Sequence, residues 1–329
     1  MSDSQKLGSP GLPKAVFRRK AIDMYKVHCL NNISQKGLDL LTDDYALTDD
    51  ISEADAILVR SANMHEMELP ASLKAVARAG AGVNNIPLDA LADRGVAVFN
   101  TPGANANAVK ELVICGMLLS ARDILGGVQW VRDNAEDPAI NKSVEKAKKQ
   151  FAGTEIVGKT LGVIGLGAIG KQIAVAASAL GMDIVGYDPF LDADGAKQIL
   201  SDMRFTSDLG ELLAASDYMT IHVPANDKTR GMIDADAIAK MKDGAVFLNF
   251  SRDTLVVDEA MAAALDSGKV ARYVTDFANP AVVKMDRAIV LPHLGASTAE
   301  AEENCAKMAV KELMGYLETG TKTHCVNER

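Results

Sequence analysis

Gly165-x-Gly167-x-x-Gly170 constrains this chain more than any other feature, because it follows the apolar run Lys159–Ile164 and opens a helix-length stretch, Lys171–Leu180, closed by Gly181. In such a strand–turn–helix unit the first glycine permits a tight turn. The second lets the backbone approach a pyrophosphate, the third lets helix and strand pack closely, and Ala168 and Ile169 place free N–H groups and the positive end of the helix at the phosphates. The next strand-like run, Asp183–Tyr187, ends in Asp188, 23 residues after Gly165, where a carboxylate can accept both ribose hydroxyls. Asp188 would repel a 2′-phosphate and Pro189 offers no cation for one, so the expected cofactor is NAD rather than NADP.

The rest of the chain repeats the same syntax. Apolar runs at Tyr25–Leu30, Ala56–Val59, Ala75–Ala79, Val96–Asn100, Tyr218–Val223, Ala245–Asn249, Tyr273–Asp276 and Ala288–Leu291 alternate with helix-length segments. Buried strands with helical crossovers predict open parallel sheets covered on both faces. A long helix is expected from about Asn107 to Ala121, followed by a charged surface segment from Asp123 to Gln150 that Gly126-Gly127 should bend. Residues 1–23 lack the apolar centre of a signal peptide and are expected to form an extension outside the fold.

At 329 residues the chain has room for two cores. Its net charge of −9 disfavours nucleic acid and anionic membranes as partners, and no apolar run approaches the length of a spanning helix. Cys29, Cys115, Cys305 and Cys325 lie far apart, and the histidines lack ligand spacing, so neither a disulfide framework nor a metal site is encoded locally. The expectation is a reduced, cytoplasmic chain.

A dinucleotide site implies hydride transfer, which needs an acid/base and an anion anchor. His293 follows an apolar strand, at the sheet edge where ligands bind, and imidazole can exchange a proton near neutral pH. Arg252 also follows a strand, and its guanidinium can hold a carboxylate in bidentate fashion.

With Arg78–Ile86, Asn100–Asn105, the glycine motif with Tyr187-Asp188-Pro189, His222-Val223-Pro224 and Pro292–Thr298, the chain from Met24 onward resembles the D-2-hydroxyacid dehydrogenase family. The resemblance implies an α/β protein: a Rossmann-type doubly wound parallel sheet domain plus a smaller flavodoxin-like α/β substrate domain. The substrate domain would comprise residues 24–104 and a returning part, 296–329, clasping an NAD-binding domain at 105–295. Longer members carry a C-terminal regulatory domain, and this sequence stops close to where one would begin.

By motif, the resemblance implies that His293 is the acid/base and Arg252 the substrate-orienting arginine. The backbone of Ala81, Gly82 and Val83 would cradle the carboxylate, and Arg60 and Arg78 would lie near a substrate phosphate. Asp276 would contact the nicotinamide amide, and His222, Val223, Pro224 and Thr229 would border the cofactor. The implied reaction is NAD-dependent oxidation of D-3-phosphoglycerate to 3-phosphohydroxypyruvate in serine synthesis, by a homodimer acting on a small phosphorylated 2-hydroxy acid. Another 2-hydroxyacid dehydrogenase, or a non-catalytic NAD-sensing corepressor, is the alternative. One family feature is missing: a glutamate shortly after the Asp276 position normally orients the histidine, and Phe277 through Lys284 supply none.

Overall fold

Twelve short strands, all parallel to their neighbours, assemble into two sheets in a computed structural model that describes residues 24–328. The expected extension at 1–23 lies outside the described residues. The first sheet contains β1 (Tyr25–Cys29), β2 (Tyr45–Leu47), β3 (Ala56–Val59), β4 (Ala75–Arg78) and β5 (Ala97–Phe99) in the order β2-β1-β3-β4-β5. This is the flavodoxin-like order.

The second sheet contains β6 (Thr160–Ile164), β7 (Asp183–Tyr187), β8 (Arg204–Thr206), β9 (Tyr218–Ile221), β10 (Ala245–Asn249), β11 (Val270–Thr275) and β12 (Ala288–Val290), ordered β12-β11-β10-β9-β6-β7-β8. The chain runs outward from β6 in one direction through β7 and β8, and in the other through β9 to β12. The carboxyl ends of β6 and β9 therefore flank a topological switch point, where an α/β sheet opens a crevice for ligands.

Each sheet is buried on both faces. Val163, Ile173, Leu248 and Val274 belong to one core of the second sheet, and Ile164, Ile221, Phe247 and Tyr273 to the other. The helix Ala106–Ala121 packs Val109, Val113 and Met117 into the first of these. The long helix Ala299–Thr319 instead returns to the first sheet, burying Cys305, Ala306, Ala309, Val310 and Leu313 with Val27, Leu58 and Phe99. Full burial of an aliphatic side chain contributes roughly 1.5–3 kcal/mol, so this apolar stripe decides where the helix docks. Its ends are fixed locally: the Thr298 hydroxyl accepts the Ala301 N–H at 3.1 Å, and Gly320 closes it at φ 74°. Beyond it, Val326 donates to the Val98 carbonyl at 2.8 Å, so the C-terminal tail covers the β5 edge.

One expectation needs correction, and two edge strands were not anticipated: β2 (Tyr45-Ala46-Leu47) and β8 (Arg204-Phe205-Thr206) are each only three residues long, too short to stand out as runs. Gly126-Gly127 does not bend the segment: both lie in the first turn of the helix Ile124–Asp133, where Asp123 caps it by accepting the Gly126 N–H at 3.0 Å. A Cβ on Gly126 would stand 2.3 Å from that carboxylate, so glycine serves the cap rather than a break.

Candidate active site

The glycine loop sits at the switch point, with Gly165 at φ 90° and its missing Cβ facing the His222 carbonyl at 2.5 Å. A Cβ on Gly170 would lie 1.9 Å from the Gly165 carbonyl, whereas one on Gly167 would meet nothing within 4 Å. The two outer glycines are required by the chain's own packing, and the middle one opens onto free space that a pyrophosphate can use. Asp188 ties the loop to the end of β7: Oδ2 accepts the Leu166 N–H at 2.8 Å and Oδ1 the Phe190 N–H at 2.9 Å. Each oxygen keeps a further lone pair for a ribose hydroxyl.

On the other side of the switch point, Thr220 Oγ1 lies 2.7 Å from His222 Nε2, and His222 Nδ1 is buried without a partner among the described residues. Burial drives this imidazole's pKa down to about 3, so it is neutral at physiological pH. Pro224 and Thr229 close the adjoining loop, the Thr229 hydroxyl donating to the Pro224 carbonyl at 2.6 Å. Val223 supplies the carbonyl that accepts from Ser251 Oγ at 2.9 Å, linking this loop to the turn that carries Arg252.

Asp276, 2% exposed, follows β11 and accepts the Gly295 N–H on Oδ2 at 2.8 Å. Its Oδ1 is buried and unpartnered. Burial raises this carboxyl's pKa, against the opposing pull of the Gly295 N–H and the nearby His293 and Arg252. A buried acceptor without a donor is costly, and a carboxamide N–H₂ is a group that would satisfy it. Together with the open space at Gly167, it makes these residues fit a nicotinamide dinucleotide.

Between the two sheets lies a cavity of about 580 Å³. Arg60, after β3, and Arg78, ending β4, line it from the first sheet, with Gly80, Ala81 and Gly82 on the loop between them and the second sheet's Arg252, Phe277 and His293. Loop and arginines are locked together. Arg78 Nε donates to the Arg60 carbonyl at 3.0 Å and Nη1 donates to the Gly82 carbonyl, while a Cβ on Gly82 would stand 2.8 Å from Nη2 of Arg252. Burial, then the charges of Arg252 and Arg60, lowers the Arg78 pKa. Three guanidinium groups in mutual repulsion invite an anion. Val83 follows Gly82 on the same loop; its side chain packs against the first sheet's core with Ile86 and Leu91, which leaves its backbone beside the cavity-lining Gly82 and Asn84.

His293 is exposed in the cavity and held from its backbone. At φ 52° it occupies the left-handed region, a strain of about 1–2 kcal/mol, and its N–H donates to the carbonyls of Asp276 at 2.9 Å and Leu291 at 3.1 Å. Among the described residues no carboxylate bonds to its imidazole. The ring of Phe277 meets it edge to face instead, with centroids 5.0 Å apart and planes at 71°. Of the three glutamates that follow, Glu302 bonds Arg60 and Glu303 bonds Lys36. Asn279 accepts the Ala281 and Val282 N–H groups and donates to Asp258.

Some lining residues were not singled out from the sequence: Phe277, Cys305, and Asn105, whose Oδ1 is buried without a partner, reach the cavity through tertiary packing. For Asn105 the Thr-Pro-Gly-Ala-Asn run was the available hint.

Residues 114–295 match the family described as D-isomer specific 2-hydroxyacid dehydrogenase, NAD binding domain. The chain is 35% identical over 291 residues to a D-3-phosphoglycerate dehydrogenase of Methanocaldococcus jannaschii, covering 85% of this chain and 53% of that protein. It is 33% identical over 317 residues to a hydroxypyruvate reductase of Thermotoga maritima, covering 89% and 98%. Among solved structures, a glyoxylate reductase from Paecilomyes thermophila superposes with a TM-score of 0.74 at 26% identity, covering 92% of this chain and 98% of the other. The chain spans about half the length of the D-3-phosphoglycerate dehydrogenases it matches.

Proposed function

The chain belongs to the D-isomer specific 2-hydroxyacid dehydrogenases, and we propose that within this family it oxidises D-3-phosphoglycerate to 3-phosphohydroxypyruvate, the first step of L-serine synthesis. The observation that carries this reading is the convergence of Arg60, Arg78 and Arg252 with His293 on one cavity. A substrate anionic at both ends suits it, with a carboxylate at one end and a phosphate at the other. The relatives named D-3-phosphoglycerate dehydrogenase support the same choice.

On this reading Arg252 and the backbone of Gly80 to Gly82 hold the carboxylate and polarise the carbon beside it, while Arg60 and Arg78 take the phosphate. His293 accepts the C2 hydroxyl proton on its exposed imidazole as the C2–H electrons leave the carbon. NAD, when bound, takes up that hydride. Gly165, Gly167, Ala168, Ile169 and Gly170 would hold its pyrophosphate, Asp188 its ribose and Asp276 Oδ1 its carboxamide, with His222, Val223, Pro224 and Thr229 along the border. The left-handed backbone and the Phe277 edge contact orient the imidazole in place of a glutamate.

The test is a substrate comparison. Protein mixed with NADH and 3-phosphohydroxypyruvate, hydroxypyruvate or glyoxylate is followed by loss of nicotinamide absorbance, and the phosphorylated acid is expected to give the highest kcat/KM. Turnover confined to unphosphorylated acids would overturn the substrate and leave the family standing. Two observations favour that second reading, reduction of hydroxypyruvate: Arg60 is already bonded to Glu302 at 2.7 Å, and the hydroxypyruvate reductase relative is matched over nearly its whole length. The reading also makes the chain a homodimer. Ile124, Leu125, Val128 and Val131, each 40–49% exposed on the helix Ile124–Asp133, supply an apolar face for a second copy.

A further inference from the structure

Two carboxylates line the cavity, and they differ in what they face. Asp253 accepts the Thr254 N–H at 2.8 Å at the head of its own turn. Glu302, in the first turn of the helix Ala299–Thr319, reaches across from the returning C-terminal element and places Oε1 2.7 Å from Nη2 of Arg60. The Cys305 thiol, also in the cavity wall, lies within electrostatic reach of Arg78, Arg60 and Glu302 at that end. Because Arg78 already donates to the carbonyls of residues 60 and 82, Arg60 is the guanidinium best placed to turn toward a ligand, and its visible bond is to Glu302.

We infer that Glu302 is a specificity-determining residue: its carboxylate occupies, on Arg60, the place that a substrate's distal phosphate must take, so that binding at this end is an exchange of one anion for another. The inference deepens the phosphoglycerate reading and rests on it for the identity of the incoming anion. The pair is suited to exchange, since both side chains are partly exposed, at 40% and 43%, and ion pairs of that kind hold weakly. A phosphate dianion with three acceptor oxygens competes well for a guanidinium. An acid with an uncharged hydroxyl at that end cannot displace the carboxylate and leaves the pair closed. Glu302 thereby sets how strongly the enzyme separates phosphorylated from unphosphorylated substrates, without touching the reacting carbon.

The experiment compares wild type with Glu302→Gln and Glu302→Ala in steady-state reduction of 3-phosphohydroxypyruvate and of hydroxypyruvate with NADH. Removing the competing charge is expected to lower KM for the phosphorylated acid by about three- to tenfold, the scale of an exposed ion pair and its repulsion. The kcat for that substrate, and both constants for hydroxypyruvate, are expected to stay within about twofold of wild type. An unchanged or raised KM for the phosphorylated acid, or an equal shift for both substrates, overturns the inference. If wild type fails to reduce the phosphorylated acid but the variants acquire that activity, the inference stands and the native-substrate reading falls. If neither wild type nor variants reduce it, both fall.

Discussion

Two alanine substitutions one turn apart, Gly170→Ala and Gly167→Ala, should damage the protein in different ways. At Gly170 the new methyl would stand 1.9 Å from the Gly165 carbonyl oxygen, so that oxygen or the helix start must retreat by more than an ångström. Forcing a group into such packing costs about 1–3 kcal/mol, and a domain of 150–250 residues loses roughly 2–4 °C of Tm per kcal/mol. The cofactor-free protein should therefore melt several degrees lower. At Gly167 no atom lies within 4 Å of the new methyl and the backbone is not left-handed, so cofactor-free stability should stay within about 0.5 kcal/mol of wild type. The methyl instead enters the space assigned to the pyrophosphate, and a clash of about 1–3 kcal/mol there raises the NAD Kd by about ten- to a hundredfold. Thermal melting without cofactor and a titration with NADH measure the two effects separately. If Gly167→Ala binds cofactor like wild type, or melts as early as Gly170→Ala, the division of labour argued for these glycines is wrong.

Other expectations follow from single groups. His293→Asn should keep cofactor affinity while lowering kcat by about 10²–10⁴-fold with every 2-oxo acid, as measured by NADH consumption; an unchanged rate would favour a non-catalytic NAD sensor. His222 is held neutral when folded, with its pKa pushed down to about 3 from 6.5, so the unfolded state gains the proton first. Stability from this group is complete above pH 6.5 and is lost as pH falls toward 3, by up to about 1.4 kcal/mol per pH unit. Melting curves across that range should fall less steeply for His222→Gln than for wild type, whatever its stability at neutral pH. If the proposed dimer forms through this face, wild type should sediment as a dimer and a variant with Leu125 and Val128 replaced by glutamate as a monomer, since both side chains are exposed and apolar in the isolated chain; equal sedimentation of the two would refute that face.

The parallel strands were legible because most core strands are short, largely apolar runs set between helix-length segments, and the glycine motif because its spacing meets a local geometric need. β2 and β8 were not, since a strand of three residues is too short to show a pattern. Gly126-Gly127 misled for a related reason: glycine marks a bend by default, and only the Asp123 cap shows that it marks a helix start.

Within reach of one strand and its turn, the amino-acid order alone decided what would form: the dinucleotide fold, Asp188 at the end of β7 beside the glycine loop, and His293 and Arg252 at strand ends. Which groups would meet across the cleft was decided elsewhere. Glu302 on Arg60, Phe277 against the imidazole and the lone Asp276 oxygen each depend on where the returning helix and the two sheets settle. Hydrophobic burial fixes that docking without regard to the polar side chains it brings together, so their pairing is a property of the assembled structure.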